Sequence, residues 1–166
     1  MRTDALRPLA GRRLLVGVSG SIAAVKTPLL VSALVKAGAE VRCVVTPSAE
    51  KLVSPLALSS LSRHRCYEDG DGWDSSCSRP LHIELAEWAE LVVVAPLSAS
   101  SLSRWSQGSA DGLLASVLLA CECPVLVAAA MNTAMWNHPA VQDNWERVKH
   151  FPQVVPLEPT LSLIHI

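Results

Sequence analysis

The chain has 166 residues, a formal net charge of −1, 50% hydrophobic residues and 17% charged residues. This length suits one domain with a full core, and the high apolar content excludes intrinsic disorder. Nucleic-acid binding is also excluded as the main function, because the chain has no basic excess to neutralise phosphates and only one Phe and one Tyr to stack on bases.

The first half of the chain alternates apolar runs with segments of helical pattern. Continuous apolar runs are typical of strands that are buried on both faces. In chain order we predict a strand at 13–18, a helix that ends at 37, a strand at 40–46, a helix at 50–61, and a polar loop at 63–80 with a short strand at 66–67. Two prolines fall inside these helices: Pro28 predicts a kink or a late start, and Pro55 predicts an interruption.

The second half continues the alternation. In chain order we predict an amphipathic helix at 83–90, a strand at 91–95, a helix that opens at 98–103, a helix at 112–121, a strand at 124–130, a helical turn at 132–136, a helix at 139–150 and the start of a strand at 153–155. Pro96 is expected to stop the strand that precedes it, and Asp111 is expected to cap the helix that follows it.

This alternation of helices with continuously apolar strands predicts an α/β fold. We expect a single domain with a doubly wound, Rossmann- or flavodoxin-like parallel sheet and helices on both faces. The domain is expected over residues 12–160, after an N-terminal tail at 1–11 that lacks the apolar core of a signal peptide. Because such sheets bind ligands at the carboxyl ends of their strands, the loops after the strands are candidate sites.

The cysteines have irregular spacing, which favours free thiols in a reducing, cytoplasmic location over a disulfide framework. They are Cys43, Cys66, Cys77, Cys121 and Cys123. The last two lack further Cys or His ligands at zinc-site spacing, so no metal site is predicted. The apolar stretch 112–131 is as long as a membrane span, but Glu122 and Pro124 in its middle favour a buried helix followed by a buried strand.

Small polar residues follow three of the predicted strands. Gly20 and Ser21 form a turn whose backbone N–H groups can hold an anion, although a tight turn without a ligand is an equally good interpretation. Thr46, Ser48 and the serines at 98–101 add hydroxyls at the same edge; as helix caps alone they would need no ligand. The convergence of three such loops favours an anionic, ring-bearing cofactor. The second strand lacks the acidic residue of dinucleotide-binding proteins, which favours a mononucleotide.

Two further positions carry reactive or ligand-binding side chains. His82 precedes a predicted helix, where an isolated histidine more often contacts backbone than catalyses. Asn132, Met135 and Trp136 share one helical face. Met and Trp on such a face indicate core or interface more often than a site, whereas an asparagine directly after a buried strand is a candidate for ligand binding.

Four segments closely resemble the flavin-containing cysteine decarboxylases and occur in that family's order. They are GVSGSIAAVK at 17–26, LHIELAEWAE at 81–90, VVVAPLSASSL at 92–102 and AMNTAMWNHP at 130–139. The resemblance implies a doubly wound parallel sheet, FMN as cofactor, and active sites between subunits of a homo-oligomer, a trimer or a multiple of three. The implied reaction, that of a carbon–carbon lyase, is the decarboxylation of 4′-phosphopantothenoylcysteine to 4′-phosphopantetheine in coenzyme A biosynthesis.

The same resemblance implies roles for individual residues. His82 would be the catalytic base, Asn132 would bind the cysteine carboxylate of the substrate, and Met135 would shape the substrate pocket. Ten residues would contact FMN, namely Gly20, Ser21, Ile22, Thr46, Ser48, Ser98, Ala99, Ser100, Ser101 and Ala130. Ser100 and Ser101 replace an Asn and a Thr of the family, which keeps a hydroxyl and loses an amide.

In that family, a proton-donating cysteine lies in an Ala-Cys-Gly-Asp flap after the last strand. This sequence continues instead to Thr160 and ends with LSLIHI at 161–166, which resembles an adapter-encoded, non-native tail. We therefore expect a longer native chain and incomplete turnover by this one. Two alternatives stay open: a peptidyl-cysteine decarboxylase-like flavoprotein, and a catalytically inactive FMN-binding subunit with a regulatory or interaction role.

Overall fold

The computed structural model describes residues 7–159, in which six strands form one sheet. They are β1 (Arg13–Val18), β2 (Glu40–Val45), β3 (Cys66–Tyr67), β4 (Leu91–Leu97), β5 (Val125–Ala129) and β6 (Val154–Leu157). The strand order is β3-β2-β1-β4-β5-β6, and all neighbours are parallel. The predicted doubly wound parallel sheet is therefore confirmed.

Helices connect these strands. They are α1 (Thr27–Lys36), α2 (Pro47–Glu50), α3 (Pro55–Ser62), α4 (Leu81–Trp88), α5 (Ala99–Gln107), α6 (Leu113–Ala120), α7 (Thr133–Trp136) and α8 (Pro139–Lys149), with 3-10 turns at Ile22–Lys26 and Asp69–Trp73. Pro28 and Pro55 both lie in the first turn of their helices. A proline there loses no helical hydrogen bond. Pro28 therefore marks the late start of α1, and Pro55 begins α3 after the expected interruption, which the structure places at residues 51–54.

The core consists of two apolar layers, one on each face of the sheet. Alternate strand residues point to opposite faces, so that Leu15 and Val92 belong to the layer under α4, α5, α6 and α8, whereas Leu14 and Val93 belong to the layer under α1 and α3. Helices α1 and α3 cover their face of the sheet less completely near β6, where Val155 is 48% exposed.

Two expectations about the strand and helix ends around the fourth strand are wrong. β4 continues through Pro96 to Leu97, and its pairing with β5 is irregular between Val94 and Leu97. Proline has no N–H to donate to a ladder and is tolerated at such an irregularity. The helix before β4, α4, begins at Leu81 rather than at residue 83, so His82 lies in its first turn.

The N-terminus of α6 is capped from a distant part of the chain. The cap residue is Gly112, and its neighbour Asp111 does not act as the cap that the sequence predicts. Instead the Leu113 N–H donates to Asp69 Oδ1 at 3.1 Å. Asp69 belongs to the 3-10 turn after β3, so this bond ties that loop to α6.

The segment before β1 contacts the fold where the structure describes it. Leu9 N donates to Ala37 O at 2.9 Å, and Gly11 N donates to Gly38 O at 3.3 Å. The remainder of the expected N-terminal tail, residues 1–6, and the expected non-native tail at 161–166 lie outside the described residues. Within residues 7–159 no helix has the length and apolar character needed to cross a membrane.

Ser19 joins β1 to β4 where both strands end. Its hydroxyl donates to Pro96 O at 2.7 Å and accepts from Ser98 N at 2.7 Å, while Ser19 N also donates to Pro96 O at 3.2 Å. The side chain is fully buried. The order of the strands reverses between β1 and β4, which makes this place the topological switch point, where doubly wound sheets bind ligands. Ser19 fixes the loops that follow these two strands.

We predict that Ser19→Ala lowers the free energy of unfolding by about 1–3 kcal/mol, because it leaves the buried Ser98 N–H without its acceptor. Urea denaturation measures this loss. Ser60→Ala, at an exposed position of α3, is the matched control and should leave stability unchanged or slightly raised, since alanine favours helix. Equal midpoints for both variants would contradict the assigned role of Ser19.

Candidate functional site at the carboxyl edge of the sheet

Four loops at the carboxyl edge each lead into a capped helical turn. The capping side chains and the backbone N–H groups that they accept are Ser21 with Ala23 at 3.4 Å, Thr46 with Ala49 at 3.3 Å, Ser98 with Ser101 at 3.2 Å and Asn132 with Met135 at 2.8 Å. A capping hydroxyl still has its own proton to donate. Together with the remaining N–H groups of the first turns, these side chains make the edge favourable for an anion.

Hydroxyl-bearing loops enclose a cavity of about 190 Å³, here named the polar cavity. Its polar lining residues are Thr46, Ser48, Asp69, Ser98, Ser100, Ser101, Arg104 and Asp111, and Gly20 lies at its wall. Six of the ten residues implied for the cofactor, Gly20 included, therefore meet in one place.

A second cavity of about 230 Å³, here named the apolar cavity, adjoins the first. It is lined by Gly20, Ser21, Ile22, Ala23, Ser98, Ala99, Ala130, Met131, Asn132 and Met135. Gly20 and Ser98 border both cavities. All ten residues implied for the cofactor, and both residues implied for substrate binding, thus lie around one continuous recess.

Gly20 permits a close approach between two of the loops. A Cβ atom at this position would lie 2.4 Å from Ser48 Cβ, well inside van der Waals contact. No side chain larger than hydrogen fits without moving one loop, so glycine is required here by packing and not only by the turn.

Asn132 presents a donor at the apolar cavity. Its Oδ1 accepts from Met135 N at 2.8 Å, which fixes the orientation of the side-chain amide. The Nδ2 group then remains to donate two hydrogen bonds. An amide held in this way can bind a carboxylate, whereas an aspartate in its place would repel one.

His82 lies elsewhere. It borders a third cavity of about 770 Å³, together with Trp73, Cys77 and Arg79. This cavity shares Asp69, Asp111 and Gly112 with the polar cavity and shares no residue with the apolar cavity. The polar cavity therefore lies between the other two, and a single copy of the chain does not bring His82 and Asn132 to the same cavity.

Sequence reasoning missed Asp69, Arg104 and Asp111 as residues of the polar cavity. Asp69 lies in the polar loop after β3 and reaches the site through its bond to α6, so no local pattern marks it. Arg104 follows the serine loop by one helical turn, which was a usable signal. The sequence around Asp111 indicates only a helix cap.

The cysteine side chains are free thiols, and in the described part of the chain none borders the polar or the apolar cavity. Burial raises the pKa of Cys43, and burial with nearby carboxylates raises the pKa of Cys66 to about 12. Burial raises the pKa of Cys121 to about 12 as well. These thiols stay protonated at neutral pH and serve as small apolar core residues.

A model of the family described as Flavoprotein matches residues 3–165. The chain belongs to the Flavoprotein family. It is 44% identical over 136 residues to the coenzyme A biosynthesis bifunctional protein CoaBC of Bacillus subtilis, which covers 82% of this chain and 33% of that protein. It is 42% identical over 148 residues to the phosphopantothenoylcysteine decarboxylase of Mus musculus, covering 86% of this chain and 71% of the mouse protein. The chain thus spans a third of the bifunctional relative.

Solved structures agree with the fold. The FMN-dependent cysteine decarboxylase SpaF superposes with a TM-score of 0.82 and 33% sequence identity, over 92% of this chain and 87% of that chain. The site described above therefore lies in a scaffold shared with flavoproteins of known structure.

Proposed function

We propose that this chain binds FMN and decarboxylates the cysteine moiety of 4′-phosphopantothenoylcysteine, releasing CO₂ on the way to 4′-phosphopantetheine in coenzyme A biosynthesis. The observation that carries the proposal is the pair of adjoining cavities at the switch point, one polar and one apolar, which share Gly20 and Ser98. The relatives named above support the reaction. Five free thiols support a cytoplasmic location.

The residues present fit FMN. The hydroxyls of Thr46, Ser48 and Ser98 and the N-terminus of α5 suit the phosphate and the ribityl hydroxyls. The apolar cavity, with Ala99 and Ala130 in its wall, suits the ring system. When bound, FMN supplies a hydride acceptor beside the substrate.

The substrate's cysteine end is proposed to lie against the apolar cavity. Asn132 Nδ2 donates to its carboxylate and holds it until the carbon–carbon bond breaks. Met135 is 47% exposed at the mouth of this cavity and packs against the substrate's carbon chain. Holding the carboxylate next to an apolar wall favours its loss as CO₂, because the neutral product needs no solvation.

His82 is proposed to accept the thiol proton of the substrate, and it does so in the site of a neighbouring copy. Within one chain it borders a different cavity from Asn132. A base must lie within hydrogen-bond reach of the proton that it removes. A contact that places the third cavity of one copy against the apolar cavity of the next supplies this reach.

The exposed apolar side chains support such a contact. Ile22, Val25 and Leu29 are all about half exposed or more and follow one another along the surface that begins at the apolar cavity, while Trp73 is 91% exposed beside the third cavity. Two different patches that meet head to tail form a closed ring when the rotation between copies closes. We propose a homotrimer, or a multiple of three, with one site in each interface.

A peptide with a cysteine at its reacting end is the second candidate substrate, because SpaF is named a cysteine decarboxylase without reference to a phosphopantothenoyl group. It would use the same FMN, Asn132 and His82. Measuring CO₂ release from both substrates at saturation separates the two candidates, and we expect the phosphopantothenoyl compound to be the better one.

We predict that Gly20→Ala weakens FMN binding roughly 10- to 100-fold, because the new methyl group forces the Ser48 loop out of place. Adding Ser48→Gly removes the opposing Cβ and should restore part of the affinity, because the Ser48 hydroxyl is lost with it. Gly70→Ala, at a position with open space around it, is the control and should bind like the unaltered chain. Fluorescence titration measures all four dissociation constants. An unchanged constant in Gly20→Ala would contradict the assigned role of Gly20, and absence of FMN binding by the unaltered chain would contradict the proposed function.

A site formed by two copies of the chain leads to a second prediction. His82→Ala and Asn132→Ala should each abolish CO₂ release. Co-expressed copies of the two variants should recover about a quarter of the activity per site, because both residues are intact in about a quarter of randomly formed interfaces. As a control, His82→Ala mixed with the double variant His82→Ala/Asn132→Ala should stay inactive. Mixed oligomers as inactive as either variant alone would show that the two residues act within one copy.

A further inference from the structure

Arg104 has a distinctive place in the proposed cofactor site. Among the described residues it is the one cation that lines the polar cavity, whose other polar groups are hydroxyls, backbone N–H groups and the carboxylates of Asp69 and Asp111. It lies on α5, six residues after the capping residue Ser98. Ser98, Ser100 and Ser101 line the same cavity, so Arg104 and the serine loop border one space.

An ion pair orients this guanidinium group. Arg104 Nε donates to Asp111 Oδ2 at 3.2 Å, and both side chains are about half exposed. A guanidinium group has five N–H donors, and this pair uses the one on Nε. The two terminal nitrogens keep the planar, two-pronged geometry that matches a phosphate group.

The other charged side chains that line the cavity in the described part of the chain are two carboxylates. Asp69 accepts from Leu113 N at the N-terminus of α6, and Asp111 pairs with Arg104. The hydroxyls and N–H groups that face the cavity are neutral. A phosphate dianion placed among them would meet two carboxylates, and Arg104 is the group that can offset that repulsion.

We propose that Arg104 forms charge-assisted hydrogen bonds with the FMN phosphate and thereby makes the cavity select the phosphorylated flavin over riboflavin. This inference rests on the proposed function and goes beyond it by assigning cofactor selectivity to a residue that none of the sequence motifs includes. The competing interpretation is a purely structural ion pair that ties α5 to the start of α6.

Substitution of each partner of the ion pair separates the two interpretations. Arg104→Gln and Asp111→Asn break the same pair from opposite sides. If Arg104 binds phosphate, Arg104→Gln weakens FMN binding about 10- to 100-fold and leaves riboflavin binding within about threefold of the unaltered chain. Asp111→Asn should then bind FMN no more weakly than the unaltered chain, because it keeps the cation and removes a repelling carboxylate.

Two further proteins sharpen the comparison. Arg104→Lys keeps the charge without the planar fork, so its FMN dissociation constant should fall between those of the unaltered chain and Arg104→Gln. Arg147→Gln changes the net charge equally at an exposed site on α8 and should leave both affinities unchanged. Fluorescence titration with FMN and with riboflavin gives the constants, and thermal melting of each apoprotein checks that it is folded.

Ionic strength provides a measurement that does not depend on riboflavin affinity. Between low and high salt, the FMN dissociation constant of the unaltered chain should rise more steeply than that of Arg104→Gln, because the variant has lost a screened charge–charge interaction.

Equal salt slopes together with an unchanged FMN affinity in Arg104→Gln would overturn the inference and leave FMN binding by the chain intact. Equal weakening of FMN by Arg104→Gln and Asp111→Asn would overturn it in favour of the structural ion pair. Absence of FMN binding by the unaltered chain would instead refute the proposed function.

Discussion

The hydrogen bonds of Ser19 hold together the two strands on which the site depends. One buried hydroxyl joins Pro96 O and Ser98 N, and through them it fixes the end of β1 to the end of β4. The order of the sheet reverses between these strands, so helices leave them in opposite directions and a crevice opens above them. The loops that bear Gly20 and the serine cluster begin next to these bonds, so Ser19 ties the two loops together.

The proposed chemistry divides along this crevice. Hydroxyls, helix N-termini and one cation lie on the side of β2 and α5, and apolar atoms with one side-chain amide lie on the side of β5. A molecule with a phosphate at one end and an aromatic ring at the other matches that division. His82 borders a separate cavity, and the exposed apolar patches account for the low charge of the chain if each copy covers its neighbour.

Local sequence patterns were sufficient for most of the fold. The strands were predictable within one or two residues because their apolar runs are uninterrupted. The loops of Ser21, Thr46 and Ser98 were predictable at one edge of the sheet because each follows a strand. The contacts that close the site were not predictable. Asp69 caps α6 across 44 positions of sequence. His82 and Asn132 are separated because α4 and α7 lie at different places along the carboxyl edge of the sheet. Pro96 was misjudged because the strand pairing around it is irregular, and pairing leaves no local signature.

Amide hydrogen exchange with and without saturating FMN tests the central claim most directly, since it reports where the cofactor lies without relying on any substitution. The account predicts slower exchange in four separate segments, at 19–23, 46–49, 98–104 and 130–135, and unchanged exchange at 119–124, on the opposite edge of the sheet. Slowing confined to other segments, or to only one of the four loops, would contradict a cofactor site at the switch point.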